Sequence, residues 1–79
     1  MIRTEYFIDI EEIFDSKGNT GYIIWNGKIF GKGGFTSYYL VGSKIYSGNG
    51  DTKYFFKENI LYGPRNQMPW TDLHRGSKL

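Results

Sequence analysis

The chain has 79 residues, a net charge of +2, no cysteine, and aromatic side chains at 19% of its positions. A chain this short forms one domain and buries only about 60–65% of the surface that its unfolded form exposes. Without cysteine, neither a disulfide nor a thiolate metal site can reinforce it, so stability falls to the aromatics, each able to bury about 150–250 Å². No apolar run approaches the ~18–20 residues of a membrane span. The opening stretch MIRTEYFIDIEEIFD turns acidic too early for a secretory signal, and a cytoplasmic protein is the expectation. Charge is unevenly placed. Up to Asp15 one base stands against five acids, a net of −4, whereas from Ser16 onward nine bases stand against three acids, a net of +6. Such asymmetry favours self-association, or pairing of the first and last parts of the chain, over binding to a uniformly acidic partner.

Along the chain an aromatic residue recurs every sixteenth position, at Tyr6, Tyr22, Tyr38, Tyr54 and Trp70. Ile13, Ile29, Ile45 and Leu61 share one phase; Phe14, Phe30, Tyr46 and Tyr62 occupy the next, and Thr20, Thr36 and Thr52 another. This self-similarity marks a small unit copied four times, with units starting near residues 6, 22, 38 and 54. Each unit holds two short apolar runs separated by a polar pair. In the second unit that pair is Asn26-Gly27, the preferred filling of a tight hairpin turn because both positions take positive φ. Gly42-Ser43 and Glu58-Asn59 fill the same slot, while Ile10-Glu11 is a poor turn pair and suggests a different loop in the first unit.

Between hairpins the sequence reads as seven-residue links such as Gly31 to Ser37, with glycine at 18, 34 and 50 where a positive φ is expected. The fold class predicted is all-β: an antiparallel meander of four hairpin repeats, with strands of four or five residues, curved or rolled into a small barrel-like sheet. After Tyr62, Pro64 and Pro69 cannot feed a central ladder. Trp70 keeps the aromatic phase and is read as a cap (residues 70–73) that closes a domain of residues 1–73, ahead of a disordered tail at 74–79.

The turn pairs fix register, and register fixes faces. One face collects Ile8 with Ile13, Ile24 with Ile29, Leu40 with Ile45 and Phe56 with Leu61, beside the opening tyrosines. The other collects Phe7 with Phe14, Ile23 with Phe30, Tyr39 with Tyr46 and Phe55 with Tyr62. A sheet with one wet face should alternate apolar with polar, and this one does not. The second face must be covered by closure, by another copy, or by a ligand.

That second face supplies the candidate binding residues: Trp25, Lys28, Tyr39, Lys44, Tyr46, Phe55, Lys57 and Tyr62. Exposed rings interleaved with lysines suit stacking on bases beside phosphates, and Trp25 next to a tight turn suits a sugar face. Against this, an aromatic repeated in every unit is first of all a packing residue, and +2 is far from the concentrated charge of a nucleic-acid footprint. Asp9, Glu11, Glu12 and Asp15 lack the alternating acids and closing glutamate of a calcium loop, so no metal is expected. Gly31-Lys32-Gly33-Gly34 precedes no helix, which removes the usual phosphate-cradle mechanism. His74 is the only histidine, and nothing sets a nucleophile against a base; neither enzyme activity nor a cofactor is expected.

The repeat, with its Ile-Leu-Tyr-Gly-Pro step and closing Pro-Trp, resembles small bacterial and phage proteins built from tandem aromatic–glycine hairpins over residues 6–73. The resemblance implies the fold and brings no functional residue. The function expected from the residues is a non-catalytic protein-interaction module that self-associates, a homodimer being the simplest form. A binding module for single-stranded nucleic acid or glycan is the alternative.

Overall fold

The computed structural model describes residues 1–71; positions 72–73 of the expected cap and the expected disordered tail at 74–79 lie outside the described residues. Eight antiparallel strands follow one another around a closed barrel. They alternate in length: β1 (Ile2–Asp9), β3 (Gly18–Trp25), β5 (Gly34–Val41) and β7 (Gly50–Lys57) have eight residues, and β2 (Glu12–Asp15), β4 (Lys28–Gly31), β6 (Lys44–Ser47) and β8 (Ile60–Gly63) have four. The meander expected from the repeat is therefore present, closed on itself.

Within each unit the register is the one dictated by the turns: Ile8 opposite Ile13, Ile24 opposite Ile29, Leu40 opposite Ile45 and Phe56 opposite Leu61. The first hairpin turns on the same two-residue slot as the rest, with the β-branched Ile10 forced to φ 62°. A different loop was expected there; the register of the neighbouring strands overrides local preference.

The seven-residue links are a second correction. Glycine at 18, 34 and 50 reads as loop because it packs no side chain in a strand, yet each begins a long strand. Two-residue turns such as Ser16-Lys17 connect the units. The positive φ expected at these glycines is found, at 128°, 110° and 108°.

Between units each ladder slips. Ile13 faces Tyr22 but Phe14 faces Asn19, and the same offset recurs after Lys28 and Ile45. These bulges sharpen the local twist, which lets eight short strands close. Each is clasped by threonine. The Oγ1 of Thr20, Thr36 and Thr52 donates to the carbonyl of Ile13, Ile29 and Ile45 at 2.7 Å, and accepts from the N–H of the following tyrosine. The seam between β1 and β8 is the fourth copy: Thr4 Oγ1 donates to the Leu61 carbonyl at 2.7 Å, and Ile8 N–H to the Asn59 carbonyl at 2.7 Å.

One piece of the seam is supplied from elsewhere. In β3 and β7 the bulge N–H of Gly21 and Lys53 is met by Asn19 and Asp51 two residues earlier. At the seam that earlier position is Arg3, and the Glu5 N–H instead donates to Asn66 Oδ1 at 2.8 Å. Asn66 thus ties the chain beyond β8 to the first strand.

Inside, Ile13, Ile29, Ile45 and Leu61 form a fully buried layer, each contributing about 1.5–3 kcal/mol. An eight-stranded barrel is just wide enough for side chains to fill it. Tyr6, Tyr22, Tyr38 and Tyr54 form the next layer toward one end, where the chain returns through Met68 and a single 3-10 turn, Pro69–Thr71. Trp70 is 1% exposed and meets Tyr22 and Tyr38 at centroid distances of 5.6 and 6.1 Å. Its Nε1 is buried without a hydrogen-bond partner among the described residues. That omission costs about 1–3 kcal/mol, less than the ~5 kcal/mol gained by burying roughly 200 Å² of ring. The plug is net favourable.

Trp70→Ala should lower the unfolding free energy by about 3–5 kcal/mol in urea denaturation. Gly63 lies directly beneath the Tyr54 ring, so that any Cβ there collides with it. Gly63→Val should therefore cost about 1–3 kcal/mol by overpacking. Gly33→Ala, where a Cβ meets nothing within 4 Å, is the matched control and should stay near neutral in the same assay.

Candidate functional site

Closure covers one apolar face and leaves the other outside. The residues that point away from the barrel are Phe7 and Phe14, Ile23 and Phe30, Tyr39 and Tyr46, and Phe55 and Tyr62, one pair per unit. All are half-buried or exposed. Three pairs stack across their hairpins: Phe7 with Phe14 at 5.7 Å and 15°, Tyr39 with Tyr46 at 6.1 Å and 21°, and Phe55 with Tyr62 at 5.4 Å and 6°. The second unit has Ile23 in place of an aromatic. Its Phe30 packs instead on Phe35 in the next strand at 5.6 Å, with Lys28 Nζ 5.8 Å from the Phe35 centroid. Stacking gives each ring one face of its partner, which leaves fewer free faces for a base or a sugar than seven aromatic side chains suggest.

The eight residues singled out from sequence all lie on this outer surface, spread over three units rather than gathered in one cleft. Trp25 and Tyr39 are 56% and 37% exposed; Lys28, Lys44 and Lys57 are exposed, and Tyr46, Phe55 and Tyr62 half-buried. The structure brings together Tyr39 with Tyr46 and Phe55 with Tyr62, and sets Trp25 opposite Lys28 and Lys44 opposite Phe55 in the ladder.

Sequence reasoning passed over the end of the barrel opposite Trp70. There the inner layer of Ile8, Ile24 and Leu40 is only partly buried, and the hairpin tips around it carry Ile10, 90% exposed, and Val41, 54% exposed, beside Trp25. Extending the ladder of β2 and β3 by one step past Glu11 and Ile24 puts Ile10 next to Trp25. A β-branched residue at positive φ is a backbone outlier, and strain of this kind signals a demand other than packing. The signal was present in Ile10-Glu11 itself, a turn pair unsuited to its turn.

A groove of about 610 Å³ follows the seam and is lined by Arg3, Glu5, Phe7, Glu58 and Asn66 among others. Glu5 is already engaged there, accepting from Ser16 Oγ at 2.7 Å and from Asn66. Burial, with the charges of Glu5 and Asp15 adding to it, raises the Tyr6 hydroxyl above its ordinary value, so Tyr6 stays protonated at neutral pH and offers no base. Among the described residues no group of three or more carboxylates or histidines could hold a metal ion. No helix among them is long and apolar enough to cross a membrane. His74 lies outside the described residues.

Ile10→Asn should relieve the left-handed strain and raise stability by about 1 kcal/mol, read as a higher urea midpoint at unchanged slope.

Comparison of the chain with family models, with curated proteins and with solved structures returns no match.

Proposed function

We propose that this barrel is a non-catalytic protein-interaction module whose first partner is a second copy of itself. The observation that carries the reading is the apolar surface left outside a closed barrel. Ile10, Trp25, Phe35, Tyr39 and Val41 are each more than a third exposed on a chain whose interior is already filled. Single surface apolars need no explanation, but Ile10 beside Trp25, and Phe35 and Tyr39 either side of Lys28, group exposed apolar side chains in a way that suits contact with another surface. The opposed charges of the first unit and the remainder supply attraction and orientation for like molecules. Localisation in the cytoplasm accords with a cysteine-free chain.

A ligand-binding reading draws on the stacked Tyr39–Tyr46 and Phe55–Tyr62 pairs with Lys44 and Lys57 alongside. Free faces at the ends of each pair could take a base or a sugar ring, worth about 1–3 kcal/mol per stacked base. The pairing of rings with each other favours the protein-contact reading.

Sedimentation equilibrium from micromolar to millimolar concentration should show reversible self-association, with oligothymidylate and oligosaccharides leaving tryptophan and tyrosine fluorescence unchanged. A single monomeric species throughout overturns the self-association reading. Saturable quenching by either ligand would favour the alternative.

A further inference from the structure

We infer that the copies meet end to end, rim against rim, through the hairpin tips at the end of the barrel that Trp70 does not close. The inference rests on the self-association proposed above and names its surface.

Two features of the rim carry it. The first is apolar. The tips of the first three units present Ile10 next to Trp25, and Val41 across from Asn26, above the half-covered Ile8, Ile24 and Leu40. The strained Ile10 adds nothing to the interior, since 90% of it faces outward.

The second is charge. Going around the rim, the acids Asp9, Glu11 and Glu12 occupy the first unit, with Glu58 of the fourth beside Asp9 across the seam. The bases Lys28, Lys44 and Lys57 occupy the far half, centred on the third unit, and all three are exposed. In a barrel whose strands run in chain order, the first and third units are diametrically opposite.

That arrangement is self-complementary under one operation. A two-fold axis perpendicular to the barrel and passing through the second unit exchanges the first unit with the third and returns the second and fourth to themselves. Asp9 of one copy then faces the partner's Lys44, Ile10 lies toward the partner's Val41, and Trp25 lies beside the partner's Lys28. Lys57 and Glu58 sit near the axis on the fourth unit, each close to the opposite charge of the other copy. The same patch serves both subunits, as an isologous dimer requires. A rim of about sixteen residues is smaller than the 20–30 per side of a standard interface, which places the dimer in the weak, reversible class.

The test is a charge swap followed by sedimentation velocity. Asp9→Lys with Glu11→Lys, and separately Lys28→Glu with Lys44→Glu, should each weaken self-association about tenfold or more by setting like charges across the interface. An equimolar mixture of the two variants should restore a dimer, because acid again meets base. Circular dichroism and thermal melts matching wild type confirm that each variant remains folded, and restoration on mixing excludes misfolding in any case. Phe14→Ser, on the side of the barrel, should leave the dimer intact. If both rim variants associate like wild type, or their mixture stays monomeric, the rim assignment is overturned. If Phe14→Ser dissociates the dimer while the rim variants do not, the contact lies on the side of the barrel and the interaction reading survives. A wild-type chain that is monomeric throughout removes both.

Discussion

Eight strands of alternating length avoid exposed edges only if the last returns to the first in register, and one threonine per unit makes that register possible. Each threonine hydroxyl donates to the carbonyl of a buried aliphatic residue and accepts from the amide two residues later. It thereby satisfies backbone groups that the bulge would otherwise strand, where an unmet buried group costs about 1–3 kcal/mol. The bulge supplies twist, the twist supplies closure, and closure buries the aliphatic layer at Ile13, Ile29, Ile45 and Leu61. Without the clasp the repeat would be a row of hairpins with open edges.

Closure is also what separates the two apolar faces. The inner one is absorbed at the Ile13, Ile29, Ile45 and Leu61 layer and at the end that Trp70 seals, and stays half-covered at Ile8, Ile24 and Leu40. The outer one can only be reduced by stacking rings on rings, because a small closed barrel has no second layer to offer. Among the described residues the cap, Trp70, lies at the tyrosine end, and the tips at the far end stay exposed.

Much of this was legible in the sequence, for identifiable reasons. The Asn26-Gly27 pair sets one hairpin, the sixteen-residue period copies it, and the two together place Ile29 inside and Phe30 outside. Three things escaped. Glycines 18, 34 and 50 were read as link residues because strand interiors disfavour glycine, whereas here the positive φ opens the strand. The role of the threonines was invisible because a hydroxyl clasp depends on a bulge that no local pattern announces. Counting back from Thr20 by one period nevertheless lands on Thr4 and would have identified the seam. Asn66 shares its phase with the glycines, and nothing in its place in the repeat points to the first strand. Its contact with Glu5, 61 positions away, exists only once the barrel has closed. The candidate surface was legible as a face but not as a location, since the pairing of rings and the exposure of the rim are properties of the closed form.

The seam has one attribute that its three internal counterparts lack, and it concerns time rather than stability. Thr20, Thr36 and Thr52 each reach a carbonyl seven positions away, while Thr4 reaches across 57. Hairpins form on microsecond scales, and the entropy of joining distant segments falls on the β1–β8 seam together with the Trp70 plug. The chain should therefore assemble as a curling ribbon whose two free edges, β1 and β8, meet last. Until they do, it is an open sheet with pairing groups exposed on both sides. The seam is where a nascent molecule is most at risk of joining a neighbour instead of itself.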